Sequence, residues 1–230
     1  MLTHDLQNTL TLVLAGGQGG RLRPLTDRRA KPAVPFGGSY RIIDFTLSNC
    51  IHSGLRRIFV LTQFQAHSLE EHIRFAWNFL PRRLLQFISS RAPHHLEEGR
   101  WYAGTADAIF HNLDTIKEEK PERVLILSGD HIYKMDYGRM LSDHLDRGAT
   151  VTIGAVKIPV AESFRFGIFE TDAESRVLSF QEKPQHGKEL PGEPGYCLGS
   201  MGIYIFETDE LIRRLGEDAA RGDSSSHDFG

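Results

Sequence analysis

Short apolar runs alternate along the first two thirds of the chain with segments in which apolar residues recur every three or four positions. The runs at 10–14, 57–61 and 123–128 are mostly apolar and show no alternation, as in strands buried on both faces of a parallel sheet. The helical spacing predicts helices over 41–54, 66–80, 106–119 and 137–147. The region 82–100 shows no clear period and is predicted to be a loop.

The pattern changes beyond residue 150, where short strands and turn residues replace the alternation. The predicted elements there are a strand at 150–156, a hairpin with strands at 164–170 and 177–182, a loop rich in Gly and Pro at 185–199, a strand at 200–206 and a helix at 210–217. Thr208 or Asp209 is expected to cap the last helix.

This order of elements predicts an α/β fold, with a Rossmann-like, mostly parallel but mixed sheet flanked by helices. The length of 230 residues suits one large domain or at most two small ones. Hydrophobic residues make up 40% and charged residues 25% of the chain, a composition typical of an ordered globular protein.

The overall charge argues against polyanionic partners. The formal net charge is −3, so we expect no binding to nucleic acid or to an anionic membrane. No apolar run approaches the roughly 18 residues that a bilayer span needs, and the start MLTHDLQN has no signal-peptide pattern. Cys50 and Cys197 have no metal-binding spacing and fit a reducing compartment. The predicted location is the cytoplasm.

The most informative stretch is 9–31, TLTLVLAGGQGGRLRPLTDRRAK. A predicted strand ends in four glycines within five residues, and five cations follow, at 21, 23, 28, 29 and 31. A glycine loop lets backbone N–H groups approach an anion closely, and Arg and Lys neutralise phosphate oxygens. The stretch therefore predicts a phosphate-binding loop, and the alternative is a structural turn with a solvated basic face.

Two familiar phosphate-binding motifs do not match this loop. A dinucleotide fingerprint counted from Gly17 and Gly19 would need a third glycine where Leu22 stands. A Walker A loop would need Gly-Lys-Ser/Thr, and the stretch from Gly16 to Arg21 ends differently.

Other candidates lie directly after predicted strands. In an open α/β sheet, ligands bind beyond the carboxyl ends of the strands, which points to the 16–21 loop, to Gln63 and to Asp130. Asp130 suits a Mg²⁺ ion that bridges nucleotide phosphates, although an Asx turn is the plain alternative. Glu182 and Lys183 offer a carboxylate and an ammonium for a sugar phosphate, or form an ordinary surface pair.

These motifs resemble those of a known family. LAGGQGGRLRPLT followed by RAKP resembles the signature of the sugar-1-phosphate nucleotidyltransferases. In family order, from about residue 10 to residue 230, follow RIIDFTLSNC, TQFQAH, WYAGTADA, GDHIYKMDY, EKP, SMGIYIF and SSHDFG. GTADA and RIIDF resemble the bacterial ADP-glucose-forming branch and separate the chain from the thymidylyl and uridylyl branches. The resemblance implies a GT-A-like nucleotidyltransferase fold and Mg²⁺-dependent adenylyl transfer from ATP to α-D-glucose 1-phosphate in glycogen biosynthesis.

The resemblance also implies residue roles, motif by motif. Arg21 and Lys31 would stabilise the triphosphate and the departing pyrophosphate, and Asp130 would bind the metal. Residues expected around glucose 1-phosphate are Tyr102, Gly167, Glu182, Lys183, Ser200, Tyr204, Asp228 and Phe229. Residues expected around the nucleotide are Gly16, Gly17, Gly19, Gly20, Arg21, Gln63, Gly104 and Thr105. Positions that connect regulatory and substrate sites in the family match Gln63 and Trp101, and effector positions match Arg28, Arg29 and Arg41.

The chain departs from the family pattern at several of these positions. Gly20 replaces a usual Thr, and Arg28 replaces the Lys that many members use for a sugar-bisphosphate activator. Pro35 and Glu118 replace a His and an Arg of the AMP inhibitor site, so sugar-phosphate and AMP-type effectors both stay open.

The resemblance also predicts the domain organisation. We expect residues 1–230 to be a catalytic domain truncated at its C-terminal end, with the family's second metal-binding Asp and its left-handed β-helix beyond Gly230. The full-length protein would be a homotetramer.

Two further readings stay open. The fold is compatible with transfer of another nucleotide or to another sugar phosphate, and with a regulatory subunit that binds nucleotide without turnover. The chain keeps the residues expected for catalysis and substrate binding, namely Arg21, Lys31, Asp130, Glu182 and Lys183, which argues against a subunit that has lost its activity. A Rossmann dehydrogenase is a third option, disfavoured because its fingerprint is incomplete.

Overall fold

The computed structural model describes residues 2–17, 19–63, 65–92, 102–222 and 225–229. The α-helices among them are α1 (Leu2–Gln7), α2 (Ile42–His52), α3 (His67–Ala76), α4 (Thr105–Phe110), α5 (Leu113–Glu119), α6 (Tyr137–Asp146) and α7 (Thr208–Ala219). The β-strands are β1 (Thr9–Ala15), β2 (Pro35–Phe36), β3 (Tyr40–Arg41), β4 (Arg57–Thr62), β5 (Phe87–Arg91), β6 (Arg123–Ser128), β7 (Val151–Pro159), β8 (Gly167–Thr171), β9 (Val177–Glu182) and β10 (Tyr196–Glu207). The predicted α/β class is confirmed.

The chain divides into two compact units. The first unit contains Met1–Thr152 and Ile205–Asp228, and the second contains Ile153–Tyr204 with Phe229–Gly230. Strand β10 contributes its last residues to the first unit and the rest to the second. The sheet is mixed, as predicted. Strands β5, β4, β1 and β6 pair in parallel, while β8 pairs antiparallel with β9 and β10.

The core of the first unit is the parallel sheet in the order β5-β4-β1-β6. Nearly every residue of β1 is buried, which explains why this strand shows an apolar run instead of an alternation. Leu12 of β1 lies beside Phe59 of β4 on one side and Ile126 of β6 on the other, and Leu12 and Ile126 are fully buried.

Helices α2 and α3 are joined by a buried carboxylate. Asp44 Oδ1 accepts hydrogen bonds from His72 Nε2 (2.6 Å) and from Trp77 Nε1 (2.7 Å). Its other oxygen, Oδ2, accepts from the backbone N–H of Arg41 (2.7 Å) at the start of α2. Asp44, His72 and Trp77 line a cavity of about 460 Å³.

A second ionic cluster lies at the amino end of β6. Arg123 donates from Nε to Glu207 Oε1 (2.8 Å), and its Nη1 contacts Asp5 Oδ1 (3.2 Å). Glu207 Oε1 also accepts from Nε2 of the buried His144 (3.2 Å), whose Nδ1 contacts Thr152 Oγ1 (2.7 Å). This group, Asp5, Arg123, His144, Thr152 and Glu207, is called the amino-end cluster below.

The second unit contains the predicted hairpin. β8 and β9 pair antiparallel, with Gly167 opposite Glu182, which confirms the hairpin, although 160–165 forms a 3-10 helix where the first strand was expected to begin. Ile158, Ile168 and Cys197 form its buried cluster. Because Cys197 lies inside β10, the predicted loop at 185–199 is too long at its end, and β10 begins at Tyr196.

Two predicted helices are shorter or broken. The helix predicted over 66–80 ends at Ala76. The helix predicted over 106–119 is divided between α4 and α5. Asn112 explains the break, because its side-chain amide donates to Ala108 O (2.8 Å), the carbonyl that its own backbone N–H would bind in a continuous helix.

Other sequence predictions need smaller corrections. The predicted loop at 82–100 contains the edge strand β5, whose Ser89 and Ser90 obscured its pattern; residues 93–100 lie outside the described residues. The strand predicted over 150–156 extends to Pro159. Neither Thr208 nor Asp209 caps the last helix: Glu207 occupies the cap position, and Thr208 Oγ1 donates to Pro121 O (2.8 Å). Among the described residues, no helix has the length and hydropathy needed to cross a bilayer.

Candidate active site

The register of the parallel sheet brings three candidate positions to one edge. Ala15, the last residue of β1, is paired with Thr62 at the end of β4, and Leu14 is paired with Ser128 at the end of β6. The segments that follow these strands therefore begin side by side. The prediction that the glycine loop, Gln63 and Asp130 share the carboxyl edge is confirmed.

The glycine loop is anchored by Thr26. Gly19 has a left-handed backbone (φ 62°), and a Cβ there would lie 2.9 Å from both Lys31 Cβ and Thr26 Cγ2. The buried Thr26 donates from Oγ1 to Gly19 O (2.9 Å). Glycine is therefore required at position 19 for its backbone conformation and for its close neighbours. Gly17 and Gly20 are exposed, with nothing within 4 Å of a built Cβ.

Lys31 and Asp130 form the central pair of the site. Lys31 Nζ donates to Asp130 Oδ2 (2.8 Å), and Ser128 Oγ donates to Asp130 Oδ1. The two side chains of the pair are 29% and 32% exposed, so they are held in place but remain accessible. Burial opposes ionisation of Asp130, but hydrogen bonds from Lys31 and Ser128 outweigh it and lower the pKa of the carboxyl below its usual value.

Three basic residues of the loop, Arg21, Arg23 and Arg28, are exposed. Arg21 lies in the 3-10 turn Gly20–Leu22 with its side chain toward solvent. Arg23 lies 3.6 Å from Asp27, and Arg28 is exposed. The stretch 16–31 together with Asp130 carries five cations and two carboxylates, so the carboxyl edge is locally positive in a chain whose net charge is −3. This charge suits a small polyanion.

The donor set at Asp130 fits a Mg²⁺ ion. Asp130 offers an ionised, partly exposed carboxylate, and Mg²⁺ typically takes one or two carboxylates with water and phosphate oxygens as its other ligands. Within the described ranges, no group of three or more His, Cys, Asp and Glu side chains is arranged for a metal. Asp130 would therefore supply one carboxylate ligand to such an ion.

Gln63 packs against the first glycine of the loop. A Cβ at Gly16 would lie 3.1 Å from Gln63 Cβ and from its Oε1. The Nε2 atom of Gln63 is buried and has no hydrogen-bond partner among the described residues. The contact fits the predicted placement of Gln63 beside the loop, and its predicted role toward a nucleotide remains a prediction.

Tyr102 is half-buried and anchored beside α4. Its hydroxyl accepts a hydrogen bond from Asn112 Nδ2 (3.3 Å), and its ring lies 6.0 Å from that of His111. Burial raises the pKa of the Tyr102 hydroxyl, so it is protonated at neutral pH and available as a donor.

Gly104 and Thr105 contact the C-terminal segment 225–229. A Cβ at Gly104 would lie 2.2 Å from the carbonyl oxygen of His227, so no side chain fits there. Asp228 Oδ1 accepts hydrogen bonds from Thr105 N (2.7 Å) and Thr105 Oγ1 (2.9 Å). The structure thus brings Gly104, Thr105 and Asp228 together, and it gives Asp228 a helix-capping contact beside its predicted role toward the sugar.

The remaining predicted sugar-phosphate residues belong to the second unit. Lys183, whose backbone is left-handed (φ 45°), forms an ion pair with Glu182, and a Cβ at Gly167 would lie 3.1 Å from Glu182 Oε2. Ser200 Oγ accepts from Gly202 N (3.2 Å). The rings of the buried Tyr204 and of Phe229 lie 5.3 Å apart. Gly167, Glu182 and Lys183 therefore form one group within this unit.

The predicted effector residues have separate environments. Arg28 is exposed and Arg29 is half-buried. Arg41 donates from Nη1 to the backbone oxygen of Ser68, in the first turn of α3. Trp101, the other predicted regulatory position, lies outside the described residues.

Three residues of the site were not identified from the sequence. Thr26 holds the loop, Ser128 binds the carboxylate of Asp130, and His227 accepts at the start of α4. His227 lies within the SSHDFG segment, and Ser128 directly precedes the GD of GDHIYKMDY. The motifs are therefore visible in the sequence, but the contacts of these two residues are not. Nothing in the pattern distinguishes Thr26 from an ordinary loop threonine.

Comparison with known proteins identifies the family. The family model described as nucleotidyl transferase matches residues 10–230. The chain belongs to the nucleotidyl transferase family. It is 55% identical over 225 residues to a glucose-1-phosphate adenylyltransferase of Nitrosomonas europaea, an alignment that covers 97% of this chain and 52% of the relative. It is 52% identical to glucose-1-phosphate adenylyltransferase 2 of Vibrio cholerae, with 98% and 55% covered.

A third nucleotidyl transferase gives the same picture. The glucose-1-phosphate adenylyltransferase of Paramagnetospirillum magneticum is 51% identical over 226 residues, which cover 98% of this chain and 52% of that protein. The chain spans about half the length of the curated relatives that it matches. The identity is therefore high along nearly the whole chain, and it concerns one half of each relative.

Proposed function

We propose that the protein containing this chain transfers an adenylyl group from ATP to α-D-glucose 1-phosphate, giving ADP-glucose and pyrophosphate. This is the first committed step of glycogen biosynthesis. The proposal is supported by the names of the relatives and by one observation above all, the Lys31–Asp130 pair at the carboxyl edge of the sheet beside the glycine loop.

The reaction requires positive charge and correct positioning of the two substrates, and it requires no general base. A phosphate oxygen of glucose 1-phosphate is already a nucleophile, and it attacks the α-phosphorus of ATP. A new P–O bond forms there while the bond to the oxygen bridging the α- and β-phosphates breaks, which releases pyrophosphate. The main obstacle is the repulsion between two polyanions, so preorganised cations are the expected catalytic groups.

The residues of the first unit match this requirement. Lys31 is held by Asp130 and contributes a fixed positive charge, while Arg21 is exposed and available to the leaving pyrophosphate. Bound Mg²⁺, held by Asp130 and the phosphates, would supply further positive charge that offsets the repulsion. The glycine loop and Thr105 would bind the nucleotide, and Tyr102 and Asp228 would contact the sugar phosphate.

The second unit supplies a separate group of residues to the proposal. Glu182 would accept hydrogen bonds from sugar hydroxyls, and Lys183 would contact the phosphate. Gly167 and Ser200 would offer backbone and hydroxyl contacts, with the Tyr204–Phe229 ring pair nearby. The ion pair between Glu182 and Lys183 keeps the two groups adjacent.

The proposal extends to the setting of the protein. We place it in the cytoplasm as a homotetramer that uses Mg²⁺, with Arg28, Arg29 and Arg41 contributing to an effector site. Gln63 and Trp101 would connect that site to the substrates. Sugar phosphates and AMP-type nucleotides are the two effector classes to test first.

Pyrophosphate release by the full-length natural protein tests the proposal. Glucose 1-phosphate and Mg²⁺ are supplied with ATP, TTP or UTP in separate assays, and release with ATP alone is expected. Asp130→Asn should reduce that release at least about 100-fold. Asp143→Asn, an exposed carboxylate on α6, is the matched control and should retain activity. Release with another nucleotide, or ATP binding without any release, would contradict the proposal.

A further inference from the structure

The C-terminal segment 225–229 is attached to α7 by one carboxylate. Asp218 Oδ2 accepts a hydrogen bond from His227 Nδ1 (2.7 Å), and Asp218 Oδ1 accepts from Ser225 Oγ. The Ser225 hydroxyl oxygen in turn accepts from the backbone N–H of His227 (3.0 Å). Both the side chain and the backbone of His227 are therefore tied, directly or through Ser225, to Asp218.

This attachment is stronger than an ordinary surface contact. The side chains of His227 and Asp218 are only 20% and 22% exposed. Burial opposes ionisation of Asp218, but hydrogen bonds from Ser225 and His227 outweigh it and lower the pKa of that carboxyl below its usual value. Asp218 is therefore ionised at neutral pH, and hydrogen bonds to a charged acceptor are the stronger class.

The anchored histidine carries its carbonyl to the start of α4. His227 has a left-handed backbone (φ 53°), and its oxygen accepts from Ala106 N (2.8 Å) and Asp107 N (3.2 Å). The next residue, Asp228, accepts from Thr105 N (2.7 Å). Two consecutive residues thus bind the first three backbone N–H groups of α4, which the helix itself leaves without partners.

The close approach at Gly104 shows how tightly this junction is built. A Cβ at Gly104 would lie 2.2 Å from His227 O and 2.8 Å from Ser226 O. The backbone of 226–228 therefore fills the space in which a side chain of residue 104 would lie. The position of α4, and with it the position of Thr105, depends on where 226–228 is held.

We propose that Asp218 is a positioning residue of the nucleotide site. It acts through His227, whose carbonyl, together with Asp228, sets the position of the Gly104–Thr105 backbone. This inference rests on the proposed function, because Gly104 and Thr105 were assigned to the nucleotide as part of it. Asp218 is assigned no contact of its own with ATP or sugar phosphate, and nothing in the sequence pattern distinguishes it.

The first test compares Asp218→Asn with Asp209→Asn in the full-length protein. Asp209 is an exposed residue in the first turn of the same helix, so it controls for the loss of a carboxylate from α7. Asp218→Asn is expected to accelerate amide exchange at Thr105, Ala106 and Asp107 by about tenfold, the equivalent of one charge-assisted hydrogen bond. The KM for ATP should rise by a similar factor while kcat changes less than about twofold.

The second test uses two substitutions at position 227 that share a backbone preference. Asn and Asp both tolerate a left-handed conformation, so neither is penalised by φ 53°. His227→Asn keeps a side-chain donor toward Asp218, and His227→Asp places a second carboxylate against it. His227→Asn should retain most of the wild-type affinity for ATP, and His227→Asp should show the same losses as Asp218→Asn. This pair keeps the test valid if Asp218→Asn fails to fold.

The outcomes distinguish the positioning role of Asp218 from the proposed function itself. Faster exchange at 105–107 with a raised KM for ATP supports the positioning role. Unchanged exchange overturns it, and so does faster exchange with an unchanged KM, since the contact would then be purely structural. Failure of the wild-type protein to bind ATP at all contradicts the proposed function, and the role of Asp218 toward the nucleotide falls with it.

Discussion

The two ends of the parallel sheet carry similar side chains and use them differently. At the amino end, Arg123 is enclosed by the carboxylates of Asp5, Glu122 and Glu207, and its side chain is only 12% exposed. At the carboxyl end, Lys31 has one carboxylate partner among the described residues, and it lies in a stretch that carries more cations than carboxylates. The difference shows that charged residues indicate a ligand site when their charges are left unbalanced and accessible.

Arg21→Ala should have the largest effect of the substitutions that probe this comparison. Arg21 is exposed at the carboxyl end, so its removal should cost little stability. The substitution removes a positive charge that is proposed to stabilise the departing pyrophosphate. We expect kcat to fall by about 10²–10³-fold. Steady-state pyrophosphate release measures it, with Arg139→Ala, an exposed cation on α6, as control. A well-folded Arg21→Ala protein with near-normal turnover would remove this role.

Glu207→Gln should show the opposite profile. Glu207 neutralises Arg123 and accepts from His144, so the variant weakens hydrogen bonds to a poorly exposed cation. The free energy of unfolding should fall by only about 1–2 kcal/mol, because Glu207 itself is partly solvated. Urea denaturation measures this loss, and kcat per folded molecule should be unchanged. A fall in kcat without a fall in stability would show that the amino-end cluster serves the reaction.

Thr26→Val tests whether the carboxyl end also depends on internal hydrogen bonding. The substitution removes the hydrogen bond to Gly19 O at nearly constant volume. We expect a loss of about 1 kcal/mol, seen mainly as a higher KM for ATP because the loop is less ordered. Thr26→Ser keeps the hydroxyl and should bind ATP more tightly than Thr26→Val. Equal ATP affinities in the two variants would show that the hydroxyl does not order the loop.

The pH dependence that His144 adds to stability should be the smallest of these effects, and His144→Asn should reveal it at acidic pH. Burial lowers the pKa of His144 below its usual value of 6.5 in the folded protein. The unfolded chain therefore binds this proton more readily, so stability is lost as pH falls below about 6.5. The wild-type unfolding free energy should decrease between about pH 6.5 and pH 5, with a shallower slope in His144→Asn. Parallel curves from chemical denaturation at each pH would contradict this assignment.

Much of the fold could be predicted because burial leaves a direct mark on the pattern. β1 is buried along almost its whole length, so its apolar run was visible. β5 was missed because it lies at the edge of the described sheet, where Ser89 and Ser90 are only half-buried. The break between α4 and α5 depends on one hydrogen bond of Asn112, which composition and periodicity do not show.

The candidate site was predictable to the extent that topology determines it. Strand ends place Gly16, Gln63 and Asp130 together without knowledge of side chains. The contacts that fix the side chains join distant positions: Lys31 and Asp130 are 99 residues apart, and Thr105 and Asp228 are 123 apart. Such pairs follow from the packed structure, and no local pattern encodes them.

The junction of α2 and α3 gives the protein an optical reporter of its own. The indole N–H of Trp77 is bound to the carboxylate of Asp44, which also binds the backbone N–H of Arg41. Indole emission moves to longer wavelength when water replaces such a partner. The sequence contains only two tryptophans, so Trp101→Phe isolates the emission of Trp77. A ligand that displaces the start of α2 at Arg41 would therefore be visible as a shift in fluorescence, without any added label.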